Sequence, residues 1–148
     1  MSTVCLSMIV KNETHIIHEC LDSICKYIDY WVIVDTGSTD GTQELIKKYF
    51  TEKGIPGELV ERPWVSFGHN RTEALALCDG KADYAWMIDA DDKIVGDFKY
   101  PNGKNLTADG YALKCGRDQC IWWRNQIFKT AIGWKYIGVL HEYAQCDK

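Results

Sequence analysis

A chain of 148 residues with 46% apolar and 26% charged side chains has the length and make-up of one compact domain, too short for two and too apolar for disorder. Its formal net charge of −4 excludes a nonspecific nucleic-acid binder, which needs a basic footprint, but leaves room for a phosphorylated ligand that arrives with a divalent cation. No apolar run approaches the roughly 20 residues that cross a bilayer, and the first residues lack the basic start and apolar stretch of a signal peptide. Seven cysteines at irregular spacing, none in a Cys-x-x-Cys pair, speak against a disulfide framework or a zinc knot. The expectation is a reduced, cytoplasmic protein with no membrane span.

Residues 3–10 form a β-rich apolar run that stops at Lys11-Asn12-Glu13-Thr14, a polar turn with a helix-capping residue. Over residues 15–28 the apolar Ile16, Ile17, Cys20, Leu21, Ile24, Cys25 and Ile28 recur at helical spacing, the clearest amphipathic helix in the chain. Residues 30–34 are a short apolar strand ending in Asp35. Next comes Thr36-Gly37-Ser38-Thr39-Asp40-Gly41, dense in turn and N-cap residues, and a helix over Thr42–Lys53 that Gly54 closes. A strand over 58–61, a helix over 70–78 and a wholly apolar strand over 84–88 follow. The alternation predicts an α/β fold: a Rossmann-like, open, mainly parallel sheet with helices on both faces. Beyond Asp92 the order weakens; Pro101-Asn102-Gly103 marks a loop, and residues 110–115, 120–129 and 133–138 read as strands.

Open parallel sheets bind ligands just beyond the carboxyl ends of their strands. Three strands here end in polar groups: Lys11-Asn12-Glu13, Asp35-Thr36-Gly37-Ser38 and Asp89-Ala90-Asp91-Asp92. The fold reading gathers these distant segments into one crevice. Asp89, Asp91 and Asp92 repel one another unless solvent or a cation relieves them, and strand alternation allows Asp89 and Asp91 to share a face. Hard cations such as Mg²⁺ and Mn²⁺ take a few carboxylates plus substrate phosphates. An EF-hand fails on spacing, since its required glycine falls on Ile94 or Asp40, and no Walker loop or dinucleotide fingerprint is present.

The segments Met8-Ile-Val-Lys-Asn-Glu13, Val34-Asp-Thr-Gly-Ser-Thr-Asp-Gly-Thr42 and Met87-Ile-Asp-Ala-Asp-Asp92 resemble, in order and spacing, glycosyltransferase family 2, the inverting GT-A enzymes. Arg71, within Phe67-Gly-His-Asn-Arg-Thr-Glu-Ala-Leu75, looks like the arginine preceding that family's third helix. Trp134 through His141-Glu142 resembles the Trp…His-Glu ending of one branch. The likeness covers residues 3–92 well and the rest loosely. It implies a single GT-A domain over 1–148, with a nucleotide-binding part at 1–92 and a short acceptor- and metal-completing part at 93–148. Val10, Lys11, Glu13, Asp35 and Arg71 would form the nucleoside pocket, Asp35 bonding the base, typically uracil. Asp89 with Ala90 would meet the ribose or sugar. Asp91, joined by His141, would hold Mn²⁺ or Mg²⁺; an imidazole ligand tilts the choice toward Mn²⁺. Glu142, with Asp118 as second candidate, would be the base that deprotonates the acceptor. Many relatives carry two acidic residues where Asp35 is followed by Thr36, so the base contact is the point of departure.

Plainer readings stand beside these. Asp35 and Asp40 could simply cap the next helix, Lys11 could be an exposed turn residue, and Arg71 could pair with Glu73 or Asp79. The expected activity is metal-dependent transfer of a sugar, from a UDP-sugar by first choice, to a glycan, protein or lipid. The alternatives are a non-catalytic nucleotide-sugar-binding domain and a sugar nucleotidyltransferase. The last would favour a glycine-rich loop after the first strand, and Lys11-Asn12-Glu13 has no glycine.

Overall fold

The computed structural model describes residues 1–96, 98–117, 120–137 and 143–145. Its main sheet has six strands in the order β3-β2-β1-β4-β6-β5. Strands β1 (Val4–Val10), β2 (Tyr30–Asp35), β3 (Gly57–Glu61) and β4 (Tyr84–Met87) run parallel, while β5 (Gly110–Arg117) and β6 (Cys120–Lys129) complete the sheet antiparallel. A separate ribbon pairs β7 (Lys135–Ile137) with β8 (Tyr143–Gln145). The expected mainly parallel α/β sheet is what the chain forms.

Alternation along β1 explains why its run is apolar throughout. Val4, Leu6, Met8 and Val10 pack on one face against α1 (Ile17–Ile24) and α2 (Thr42–Lys53), and Cys5 packs on the other with Ala74 and Leu75 of α3 (Phe67–Leu77). The same division separates Trp31 and Ile33 from Val32 and Val34, and Trp86 from Ala85 and Met87. A parallel sheet covered on both sides leaves no strand position in water, so these strands carry no polar alternation.

Two helices depart from the sequence expectation. Helix α1 spans Ile17–Ile24 rather than 15–28, and its buried Ile17, Cys20, Leu21 and Ile24 keep the predicted stripe. Thr14 does not cap it, because its hydroxyl donates instead to Asp40 at 2.8 Å. After Ile24 the chain tightens into a 3-10 turn, Cys25–Tyr27, and Ile28 is already extended. There the carboxylate of Asp29 takes the Val4 amide and the Lys104 ammonium, so the chain is drawn into β2. Helix α3 starts at Phe67, not Asn70. The Ser66 hydroxyl caps it by accepting the His69 amide at 3.1 Å. Asn70, fully buried, accepts from the Val65 and Ser66 amides and donates to the Pro63 carbonyl. A residue that looked like a helix start is the clasp of the loop before it.

β3 begins one residue earlier than expected, at Gly57. Only glycine fits there: a Cβ would sit 2.3 Å from the Trp31 ring, which stacks on Phe50 and donates its indole N–H to Ile55.

Candidate functional site

The parallel register brings the three polar strand ends to one edge. Val10 pairs with Asp35, the Thr36 amide donates to the Val10 carbonyl, and the Ile88 amide donates to the Ser7 carbonyl. The loops after β1 and β2 are then tied together. The Asn12 amide donates to Ser38 Oγ, Asn12 Oδ1 accepts the Thr39 amide, and the Glu13 amide donates to Thr42 Oγ1. Glu13 lies close enough to Asp91, Asp40 and Asp89 for their charges to act on it. Burial chiefly raises its pKa, and those three carboxylates push the same way against the opposing pull of His15.

Asp35 is buried. One of its oxygens, Oδ2, accepts the Gly37 and Ser38 amides and the Gln43 side-chain amide at 2.7–3.0 Å. Gly37 has φ +117°, a backbone state that L side chains resist, and it lets the turn fold back on the carboxylate. Burial would raise the pKa of Asp35, but these hydrogen bonds, led by Ser38, outweigh it and hold it below its ordinary value. The other oxygen, Oδ1, is buried and has no partner among the described residues. Asp35 thus stabilises its turn through one oxygen and leaves the other as a buried, unpartnered acceptor at the end of β2. Neither aspartate is the N-cap of α2, which is Gly41; Asp40, one residue before it, accepts the Thr42 amide and hydroxyl through Oδ1. That hydroxyl, with Thr14, lowers the Asp40 pKa to about 2.

At the end of β4 the side-chain oxygens of Asp89, Asp91 and Asp92 lie within 4.8 Å of one another. Strand alternation is not what gathers them. β4 ends at Met87, and residues 89–92 form a turn in which the Asp92 amide donates to the Asp89 carbonyl and the Asp89 amide to the Asp92 carboxylate. Two guanidinium groups flank the cluster. Arg71 of α3 pairs with Asp89 at 3.0 Å, so neither Glu73 nor Asp79 is its carboxylate here: Glu73 pairs with Arg62, and Asp79 accepts the Ala131 amide. Arg124 of β6 pairs with Asp92 at 3.3 Å. Burial raises the Asp92 pKa, and Asp89 and Asp91 add to the rise against Arg124. Asp91 is exposed. Three carboxylates at this spacing, one of them open to solvent, suit a hard divalent cation whose remaining ligands come from a bound diphosphate.

Of the other expected site residues, Val10 and Ala90 are buried beside the turn and the exposed Lys11 points no described ion pair at the cleft. Asp118, His141 and Glu142 lie outside the described residues. Arg124 and Gln43 went unread in the sequence. Gln43 bridges Asp35 and Glu61, and Arg124 arrives from an antiparallel strand with no motif around it. On the side of β4 away from β1 a cavity of about 800 Å³ opens next to the same three aspartates.

The Glycosyl transferase family 2 model matches residues 5–138, and the chain belongs to this family. The lipopolysaccharide core biosynthesis glycosyltransferase LpsC of Rhizobium meliloti is 29% identical over 129 residues, 87% of this chain and 43% of that protein. A TPR repeat-containing protein of Synechococcus elongatus is 32% identical over 96 residues, 64% of this chain and 22% of its own length. The chain thus spans less than half the length of these curated relatives. Among solved structures, the mannosyltransferase PcManGT of Pyrobaculum calidifontis, in complex with GDP-Man and Mn²⁺, superposes with a TM-score of 0.52 at 28% identity, over 61% of this chain and 28% of that one. S. aureus TarS 1-349 gives 0.52 at 23% identity over 62% and 28%, a likeness of fold. The sheet is accordingly that of the GT-A glycosyltransferases. Among the described residues no helix is long and apolar enough to cross a membrane.

Proposed function

We propose that the chain binds a nucleoside diphosphate sugar, UDP-linked by first choice, and transfers the sugar with inversion to an acceptor nucleophile in the presence of Mn²⁺ or Mg²⁺. The observation that carries this reading is the pairing of two features at one edge of the sheet: the aspartate cluster at the end of β4 and the unpartnered, buried Asp35 Oδ1 at the end of β2. A nucleobase imide N–H supplies the donor that Asp35 Oδ1 lacks. Lys11 and Glu13 complete the nucleoside side, and Arg71, stacked over Phe67 and held on Asp89, brings its guanidinium charge to the phosphate or base side. Asp89 and Ala90 face the sugar, and Asp91 holds the cation with help from Asp92 and from His141. The cation supplies charge stabilisation for the departing diphosphate. Glu142 or Asp118 receives the acceptor proton. A reducing, cytoplasmic setting agrees with the free thiols of Cys5, Cys20, Cys25, Cys78 and Cys115.

The mannosyltransferase neighbour, in complex with GDP-Man and Mn²⁺, supports both the donor class and the cation. Because the chain spans 43% of LpsC, a second reading is a binding domain that relies on further polypeptide for transfer. Thermal denaturation with UDP or GDP, in Mn²⁺ or EDTA, tests the proposal, since a ligand that binds only the folded state raises Tm. UDP should raise Tm far more in Mn²⁺. Asp91→Asn should abolish that increment and stay folded. An increment that survives Asp91→Asn removes the metal assignment, and UDP binding without donor hydrolysis or transfer selects the second reading.

A further inference from the structure

Arg71 is held by more than the Asp89 carboxylate. Its guanidinium carbon lies 5.0 Å from the centre of the Phe67 ring and 5.7 Å from the centre of the Tyr136 ring. Both distances fall within the roughly 6 Å over which an aromatic face attracts a cation. The two rings are not equivalent. Phe67 opens α3 one turn before Arg71, is 56% exposed, and has only the exposed Trp64 as its ring partner among the described residues. A ring more than half in water is a loose wall. Tyr136 of β7 is backed by the core instead. Its ring makes a T-shaped contact with the buried Phe128 at 6.1 Å. Trp134 packs on the same Phe128 and donates its indole N–H to the Asp109 carbonyl.

The backbone fixes the same placement. The Tyr136 amide donates to Thr72 Oγ1 at 2.8 Å, which fastens β7 to α3 one residue beyond Arg71. The Arg71 side chain is 15% exposed and pairs with Asp89 at 3.0 Å. Little water surrounds the guanidinium, so its contact with a ring is stronger than the same contact on an open surface. An arginine side chain carries much rotamer freedom, and ordering it weakens the binding of any ligand that must impose the order. A ring that orders Arg71 beforehand removes that loss.

We propose that Tyr136 is a positioning residue for Arg71: its ring, anchored on Phe128, sets the guanidinium against Asp89 before the nucleotide binds. The inference rests on the donor reading above. Tyr136 acts through Arg71 and not on the donor itself. The nucleotide side is therefore not complete within residues 1–92. It depends on a ring that β7 delivers from the later part of the chain, clipped to α3 at Thr72.

Calorimetry of UDP in Mn²⁺ tests this with Tyr136→Leu, Tyr136→Phe, Arg71→Ala and the double variant Arg71→Ala with Tyr136→Leu. Leucine keeps apolar bulk and removes the aromatic face; Tyr136→Met replaces it if the leucine variant does not fold. Tyr136→Leu should weaken UDP about fivefold, and Tyr136→Phe should stay within about twofold of wild type. Phe67→Leu, on the exposed side, should cost no more than about twofold. In the Arg71→Ala background Tyr136→Leu should change UDP binding no further, as expected of a residue that acts only through another. A purely structural Tyr136 would weaken binding equally in both backgrounds, and that result overturns the proposal. So does wild-type affinity in Tyr136→Leu, or a Tyr136→Phe variant that behaves like Tyr136→Leu. The Tm of the same proteins without nucleotide gives a second reading. The loss in the double variant should fall short of the summed losses of the two single variants, and additive losses also overturn the proposal. If wild-type protein binds no UDP while the Tm losses stay non-additive, the donor reading fails and the hold of Tyr136 on Arg71 stands.

Discussion

The parallel and antiparallel halves of the sheet solve different problems. Strands β1, β2 and β4 are buried on both faces, with Leu6, Ile33 and Trp86 wholly inaccessible, and they exist to hold loop ends in register. Beyond β4 the pairing turns antiparallel, and β6 carries Ile121, Trp122 and Trp123 into solvent. The first half is covered on both faces; the second leaves large apolar side chains exposed. The difference teaches that a residue's chemistry here depends on which half it stands in. Asp35 is poised by a rigid frame, whereas Trp122 is available because its frame leaves it open.

The largest test of this contrast is stability. Ile33→Ala in the parallel core should cost about 2–5 kcal/mol by loss of burial and the cavity left behind. Ile121→Ala, at 64% exposure, should stay within about 0.5 kcal/mol. Urea denaturation of the two variants makes the comparison, and equal losses would show that β6 is as covered as β2. Next in size is the Arg71–Asp89 pair, which links α3 to the cluster. Arg71→Ala should cost about 1–2 kcal/mol, the worth of a charge-assisted hydrogen bond in a half-buried place, and should weaken UDP binding about tenfold or more by calorimetry.

Proton competition comes third. Asp92 and Glu13 have raised pKa values, so they take up protons earlier than free carboxylates as pH falls. The UDP·Mn²⁺ increment should decline at a pH above the ordinary carboxylate range, and titrating it in small pH steps locates the fall. For stability the same two groups act in reverse: with the folded value above the unfolded one, ionising them costs stability, and acid relieves that cost. Asp35 has the smallest expected effect and the opposite sign. Its folded value lies below the unfolded one, so its contribution is full above about pH 4 and is lost as pH falls through the folded value. Asp35→Asn should keep the turn, because the amide oxygen can still accept from Gly37 and Ser38. It should flatten the acid limb of the stability curve. It should also reduce UDP binding, since an amide N–H₂ replaces the acceptor offered to the base.

Most of the parallel half was legible because its signals are local. Continuous apolar runs mark strands buried on both faces, Gly54 marks the end of α2, and Asp89-Ala90-Asp91-Asp92 stands directly after such a run. Where the reading slipped, a side chain was engaged at long range. Thr14 looked free to cap α1 but is held by Asp40 from the next loop, and Asn70 looked like a helix start but serves the turn before α3. The aspartate cluster was found for a partly mistaken reason, since a turn and not a pleat assembles it. Arg124 had no signature at all. Its role depends on β6 running antiparallel beside β4, which no pattern within residues 120–129 announces. The proposed residues Asp118, His141 and Glu142 fall where the described residues leave off.

The clasp at Asn70 has one more consequence. Asn70-Arg71-Thr72 spells an acceptor signal for asparagine-linked glycosylation, yet the side-chain nitrogen that would carry the sugar donates to the Pro63 carbonyl from a wholly enclosed position. The Thr72 hydroxyl is likewise engaged, accepting the Tyr136 amide at 2.8 Å. Once the polypeptide has folded, that signal is closed to any modifying enzyme. The fold has in this way sealed one of its own asparagines against receiving a sugar.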